Sequence, residues 1–126
     1  TGHASGSQEY GPYPANLQIA PGEQTTDDLV AGIERGLLVR RFWYVNVVNQ
    51  RETVLTGMTR DGLFLIEDGA VTRPVHNLRF TQSVLDCLGG CSGIGADLAC
   101  LPSGGGSVLA PALRLDAFNF TSATSH

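Results

Sequence analysis

Three cysteines, Cys87, Cys91 and Cys100, and three histidines, His3, His76 and His126, are the residues of this chain best suited to metal binding or nucleophilic chemistry. Cys87, Cys91 and Cys100 with His76 as a fourth ligand would make a tetrahedral zinc site. The Cys-x3-Cys spacing, however, is not that of the CxxC-like knuckles of zinc fingers and ribbons, and unpaired buried or loop thiols are the simpler reading. No two histidines stand at i, i+4, so surface or loop imidazoles account for all three. Thr1 carries the chemistry of an N-terminal nucleophile whose own amine serves as base. Gly104-Gly105-Gly106-Ser107 has the composition of a phosphate cradle, but it lacks the Lys-Ser/Thr of a P-loop and reads as a flexible connection. The acidic pairs Asp27-Asp28 and Glu67-Asp68 are explained by a helix start and a turn. On residue types and spacing alone, no general base stands beside a nucleophile and no ligand set is complete.

The chemistry must be positioned by a single domain, since 126 residues make one core and not two. With 42% hydrophobic and 16% charged residues the chain is globular. A net charge of -4 argues against nucleic acid, because phosphate binding needs a basic face. No apolar run approaches the roughly 20 residues of a membrane span, so no membrane partner is expected. The first residues resemble no signal peptide, and Met58 is the only methionine, so Thr1 reads as a processing product or the start of a cut chain. A Cys87–Cys91 disulfide is geometrically open, but an odd cysteine count in a chain of this kind favours reduced thiols and a cytoplasmic location.

In chain order, residues 1–15 read as an irregular arm rich in Gly, Ser, Pro and Tyr. Asn16–Ala20 suits a short strand stopped by Pro21-Gly22. Thr25 caps a helix through Asp27-Asp28, Leu29, Val30 and Ile33, with Gly36 as its stop. Leu37–Gln50 is the longest strand candidate, apolar on both faces and therefore expected at the centre of a sheet. Thr53–Met58 returns antiparallel. Leu63–Ile66 and Ala70–Thr72 form a hairpin about Asp68-Gly69, a dipeptide suited to the positive φ angles of a type I′ turn. Asn77–Gln82 is a further strand, and Ser83 caps a short helix over Val84–Leu88. Gly89 to Gly106 reads as loop, Val108–Phe120 as strand and Thr121–His126 as a frayed polar tail. The fold class is α+β: a mainly antiparallel β-sheet with one or two short covering helices, occupying residues 16–120 between the arm and the 121–126 tail.

From about Pro14 to Thr121 the chain resembles the C-terminal domain of the TldD/PmbA metallopeptidases, once described as modulators of DNA gyrase. Ile19-Ala20-Pro21-Gly22, Thr25 to Leu29 and Ile33 to Leu37 resemble the family's Pro-Gly turn, capped helix and Gly-ended exit. Leu65 to Val75 is similar to its hairpin, Gly95 to Leu98 to its Asp-Leu turn, Ala110 to Leu115 to its closing Pro-x-Leu strand, and Asn119 to Ser122 to endings in some branches. The resemblance implies a zinc peptidase acting on peptides as a homodimer or heterodimer. Its metal would be held by a His-Glu-x-x-x-His helix, whose glutamate activates the bound water, with a cysteine of the C-terminal domain as third protein ligand. No His-Glu-x-x-x-His occurs in this chain. The family cysteine lies between the Asp-Leu turn and the Pro-x-Leu strand, an interval in which Cys100 is the one cysteine here. Its neighbours Ala99 and Leu101-Pro102 depart from the family's Gly-Cys-Gly, and its distance to Pro111 is shorter.

Three expectations follow. The first is a C-terminal segment of a TldD/PmbA-type zinc peptidase, inactive alone, which needs an N-terminal catalytic portion or a related subunit. The second is a non-catalytic partner subunit or interaction domain, and the third an N-terminal-nucleophile hydrolase using Thr1.

Overall fold

A computed structural model describes residues 3–103 and 106–123. Strands dominate it: β1 (Asn16–Gln18), β2 (Arg35–Asn49), β3 (Val54–Glu67), β4 (Ala70–Pro74), β5 (Leu78–Ser83), β6 (Cys91–Ser103), β7 (Gly106–Leu115) and β8 (Phe120–Ala123). Two six-residue helices, α1 (Thr26–Ala31) and α2 (Val84–Gly89), complete the set, so the expected α+β class with a mainly antiparallel sheet is observed. There are two sheets rather than one. The larger runs β2-β3-β5-β8 with β4 also on β3, and the smaller runs β1-β7-β6, in which β1 pairs parallel with β7.

Thr25 caps α1 as its sequence predicts. Its side chain accepts from the Asp28 amide at 3.1 Å, and its own amide and hydroxyl donate to Asp28 Oδ2 at 2.9 and 2.7 Å, a complete capping box. Those bonds, the hydroxyl's first, hold the Asp28 carboxyl below its ordinary pKa. A lowered folded-state pKa contributes stability above the unfolded carboxylate range, lost as pH falls through the lowered value. Thr25→Ala is expected to cost about 1 kcal/mol. Asp28→Asn should flatten the acid limb of a pH–stability curve, and an unchanged curve would remove Asp28 from the cap.

The helix stops at Gly32 and not at Gly36, which lies inside β2 opposite Ile66. The Ile33 amide bonds Val30 O at 2.9 Å, and the chain then turns directly into the strand. Leu29 and Val30 are the buried face of α1. The helix touches β4 of the larger sheet and β6 and β7 of the smaller one, which makes it a bridge between them.

The hairpin about Asp68-Gly69 forms as expected, with φ 49° at Asp68 and 77° at Gly69. Its turn is docked: the Asp68 amide donates to Glu34 O at 2.7 Å and the Gly69 amide to Ile33 O at 2.9 Å. Leu63, Leu65 and Ile66 of β3 supply half of the six buried hydrophobic residues, the others being Leu29, Val30 and Phe80. On the same sheet Phe80 meets Phe42 edge-on at 4.8 Å and Phe118 at 5.3 Å, and Phe118 stacks on Phe42. Gly57 leaves room for this cluster, because a Cβ there would stand 2.8 Å from the Phe80 ring.

Several expectations change. Leu37–Gln50 becomes β2, but it is an edge strand, paired to β3 alone among the described residues, and its second half is largely exposed. Apolar content on both faces therefore does not by itself specify a central position. Most of the stretch from Gly89 to Gly106 that reads as loop is strand: Cys91–Ser103 is β6, antiparallel to β7. Its glycines are close-approach positions, since a Cβ at Gly93 would stand 2.6 Å from Leu29 Cδ2 and one at Gly95 would crowd Ala112. Val108–Phe120 is two strands of different sheets, broken after Leu115, where the Asp116 amide bonds Gly90 O at 2.9 Å. The expected tail begins as β8 on β5, and residues 124–126 lie outside the described residues. In the N-terminal segment Ala4 bridges to Pro12. Ser83 caps α2 as anticipated.

Candidate functional site

Cys100 lies in β6 opposite Leu109 of β7, with an exposed thiol. Cys87 is half-buried in α2, and Cys91 opens β6 with its Sγ donating to Gly93 O at 3.5 Å. Burial, then the neighbouring Cys91 and Asp86, push the Cys87 thiol above its ordinary pKa, which disfavours the reactive thiolate. His76 is exposed between β4 and β5, whereas His3 accepts from the Ala15 amide through Nδ1 at 3.4 Å. The fold does not assemble Cys87, Cys91, Cys100 and His76. No three His, Cys, Asp or Glu side chains among the described residues stand where they could hold one metal ion. Tetrahedral zinc needs three or four such donors, so the described residues do not form a zinc centre by themselves.

The other sequence candidates divide in the same way. Thr1, His126, Gly104 and Gly105 lie outside the described residues. Gly106 and Ser107 open β7, where the Ser107 amide donates to Ala15 O at 3.0 Å and its hydroxyl to Asn16 Oδ1 at 3.2 Å. These bonds fasten β1 to β7 and account for Ser107 structurally, and a Cβ at Gly106 would collide with the Ala15 carbonyl. Asp27 and Asp28 lie in the first turn of α1, and Glu67 accepts from Thr72 Oγ1 at 2.8 Å beside the hairpin turn.

Residue-type reasoning passed over an arginine-rich row on the larger sheet. Arg41 and Arg60 are direct cross-strand partners, and both guanidinium groups lie over the Trp43 ring, at 4.6 and 5.1 Å from its centroid. Asp61 reaches both, at 2.7 and 3.7 Å. The Arg-x-Trp spacing in β2 was the available signal, since it places both side chains on one face. Beside it β2 bulges between Trp43 and Asn46, with Tyr44 at φ 53°, a region uncommon for a bulky residue. Two shallow cavities adjoin the bulge. One of about 240 Å³ is lined by Tyr44, Asn46, Thr56, Gly57, Met58 and Arg79. The other, of about 330 Å³, is lined by Trp43 to Asn46.

Comparison with known proteins gives the geometry a context. The chain resembles TldE from Thermococcus kodakarensis with a TM-score of 0.78 at 20% identity, over 95% of this chain and 27% of that one. It also resembles a candidate modulator of a DNA gyrase from Thermotoga maritima, with a TM-score of 0.70 at 20% identity, over 88% of this chain and 25% of that one. The chain thus spans about a quarter of the length of these solved structures, and at this identity the likeness is one of fold. No curated protein gives a significant match. The sequence profile of the PmbA/TldA metallopeptidase C-terminal domain matches residues 1–122, nearly the whole chain. The chain belongs to the PmbA/TldA metallopeptidase C-terminal domain family.

Proposed function

We propose that this chain is the C-terminal scaffold of a peptide-hydrolysing zinc enzyme whose reaction centre lies mostly outside it. The observation that carries this reading is uncovered surface. The chain exposes 8810 Å², against roughly 6,500 Å² for a compact monomer of its 13.3 kDa. The surplus is apolar in important places, with Val47 64%, Val48 58%, Leu85 64% and Leu101 50% exposed. Surface of that kind is characteristic of a domain covered by another part of its protein or by a subunit. A homodimer or a heterodimer of two related subunits would cover surface of this kind. Among the described residues no helix is long and apolar enough to cross a membrane.

In this reading Cys100 is the one donor the chain offers to zinc, through an exposed thiol on β6. The remaining ligands, and the glutamate that takes a proton from the metal's water, come from a His-Glu-x-x-x-His helix elsewhere in the assembly. Cys100→Ser in the complete protein should lower zinc content at least about ten-fold and abolish hydrolysis of an unfolded peptide substrate. Unaltered zinc content and activity would remove Cys100 from the site and leave the chain a scaffold alone.

The second reading is a non-catalytic partner subunit. It is favoured by the surroundings of Cys100, where Ala99 and Leu101-Pro102 stand in place of the Gly-Cys-Gly that the resemblance implies. Native mass spectrometry with zinc analysis of each polypeptide separates the two. Zinc confined to a subunit other than the one carrying this domain supports the inert-partner reading.

A further inference from the structure

We infer that one face of the larger sheet, carrying Arg41, Arg60 and Arg79 about Trp43, docks an acidic polypeptide segment through its side-chain carboxylates. Strand register places these residues together. Trp43 pairs with Met58 and Met58 with Arg79, while Arg41 pairs with Arg60 two positions along β3. Cross-strand partners and i, i+2 neighbours share a face, so all five side chains belong to one surface.

Folding alone does not explain the charge on that surface. Like charges directly opposite each other destabilise a sheet, yet Arg41 and Arg60 are directly opposite. Asp61 is the only carboxylate within ion-pair distance of the three guanidinium groups among the described residues, and Arg79 has none. Three of the eight cationic side chains of an acidic protein thus share one face with a single counter-charge. Stacking on Trp43 holds two of them in place, which lowers the ordering cost of binding a carboxylate. The Trp43 Nε1–H is buried without an acceptor, and Trp43 lines the adjoining cavity of about 330 Å³.

The geometry also selects the form of the ligand. Arg60 and Arg79 are diagonal neighbours across β3 and β5, about 7 to 8 Å apart at the backbone. Alternate residues of an extended chain lie roughly 6.5 to 7 Å apart, so acidic residues at i and i+2 match the pair. A nucleic acid would need a continuous basic track, which a chain of net charge -4 does not offer. This inference is independent of where the zinc chemistry resides.

The test uses the complete protein and a fluorescein-labelled Gly-Ser-Glu-Ser-Glu-Ser-Gly peptide, with a glutamine-for-glutamate peptide as control. Fluorescence anisotropy at low salt should show the glutamate peptide binding at least about five-fold more tightly, a preference that fades at high salt. Arg60→Gln and Arg79→Gln should each weaken binding about 2- to 5-fold and together about ten-fold, while Arg79→Lys keeps most of it. Arg51→Gln, outside the patch, should change nothing. Equal binding of the two peptides, indifference to both substitutions, or tighter binding of polyphosphate than of the glutamate peptide would each overturn the proposal.

Discussion

Ile66→Ala is expected to destabilise the domain by about 3 to 4 kcal/mol, with a fall in the urea midpoint of roughly 2 M. Ile66 is 1% exposed, the most buried hydrophobic side chain among the described residues, and sits in the part of β3 flanked by β2 on one side and β4 on the other. The buried apolar set is small, six residues among those described, so little neighbouring material can collapse into the space left behind. Against a total stability of about 5 to 15 kcal/mol for an ordinary domain, the loss is a large share. Val71→Ala, at a position 45% exposed on the adjacent β4, should stay within about 0.5 kcal/mol of wild type. A midpoint for Ile66→Ala within 0.5 M of wild type would mean that the core lies elsewhere.

The second large effect is expected at Gly69. Substitution by valine places a β-branched residue at φ 77° and a Cβ about 2.8 Å from Ala31 O, with Ala31 Cα at 3.2 Å. The left-handed conformation alone costs about 1 to 2 kcal/mol for a residue with a Cβ. The contact adds about 1 to 3 kcal/mol, because backbone at the end of α1 cannot turn aside as a side chain can. The turn must then pull away from Ile33 and Glu34, breaking the bonds from the Asp68 and Gly69 amides. Gly69→Val should therefore lose roughly 3 kcal/mol and speed proteolysis near residues 31–35. Gly69→Asn tolerates the dihedral angle but keeps the contact, so it should lose less than valine and more than nothing. Equal stability of all three proteins would show that the hairpin turn does not dock on α1.

These two positions show how unevenly the fold was written in the local sequence. Asp68-Gly69 announced its turn because the dipeptide's tolerance of positive φ acts within two residues. Thr25 with Asp28, and Ser83 before α2, announced helix starts for the same reason, since a cap is satisfied inside one turn. Strand identity was less legible. Gly93 and Gly95 suit a loop by composition, whereas Leu29, more than sixty residues earlier in the chain, needs the space at Gly93, and Ala112 the space at Gly95. The composition of β2 suits a central strand, yet among the described residues it is an edge, because apolar content does not specify which segment pairs beside it.

The site followed the same division. The order of short motifs was enough to place the chain in its family, because Leu65 to Val75 and the segments around it are contiguous. No His-Glu-x-x-x-His occurs in the sequence. Whether Cys87, Cys91, Cys100 and His76 could meet was a tertiary matter, and the fold leaves Cys87 near Cys91 without bringing a third donor to them among the described residues. The arginine face was likewise decided by register. Arg41, Arg60 and Arg79 are 19 residues apart at each step, and only the pairing of β2, β3 and β5 brings them to one surface. Local sequence determines what acts through one or two peptide units, namely caps, turns and strand propensity. Which side chains share a face depends on strand pairing between distant segments, and that is a property of the folded chain.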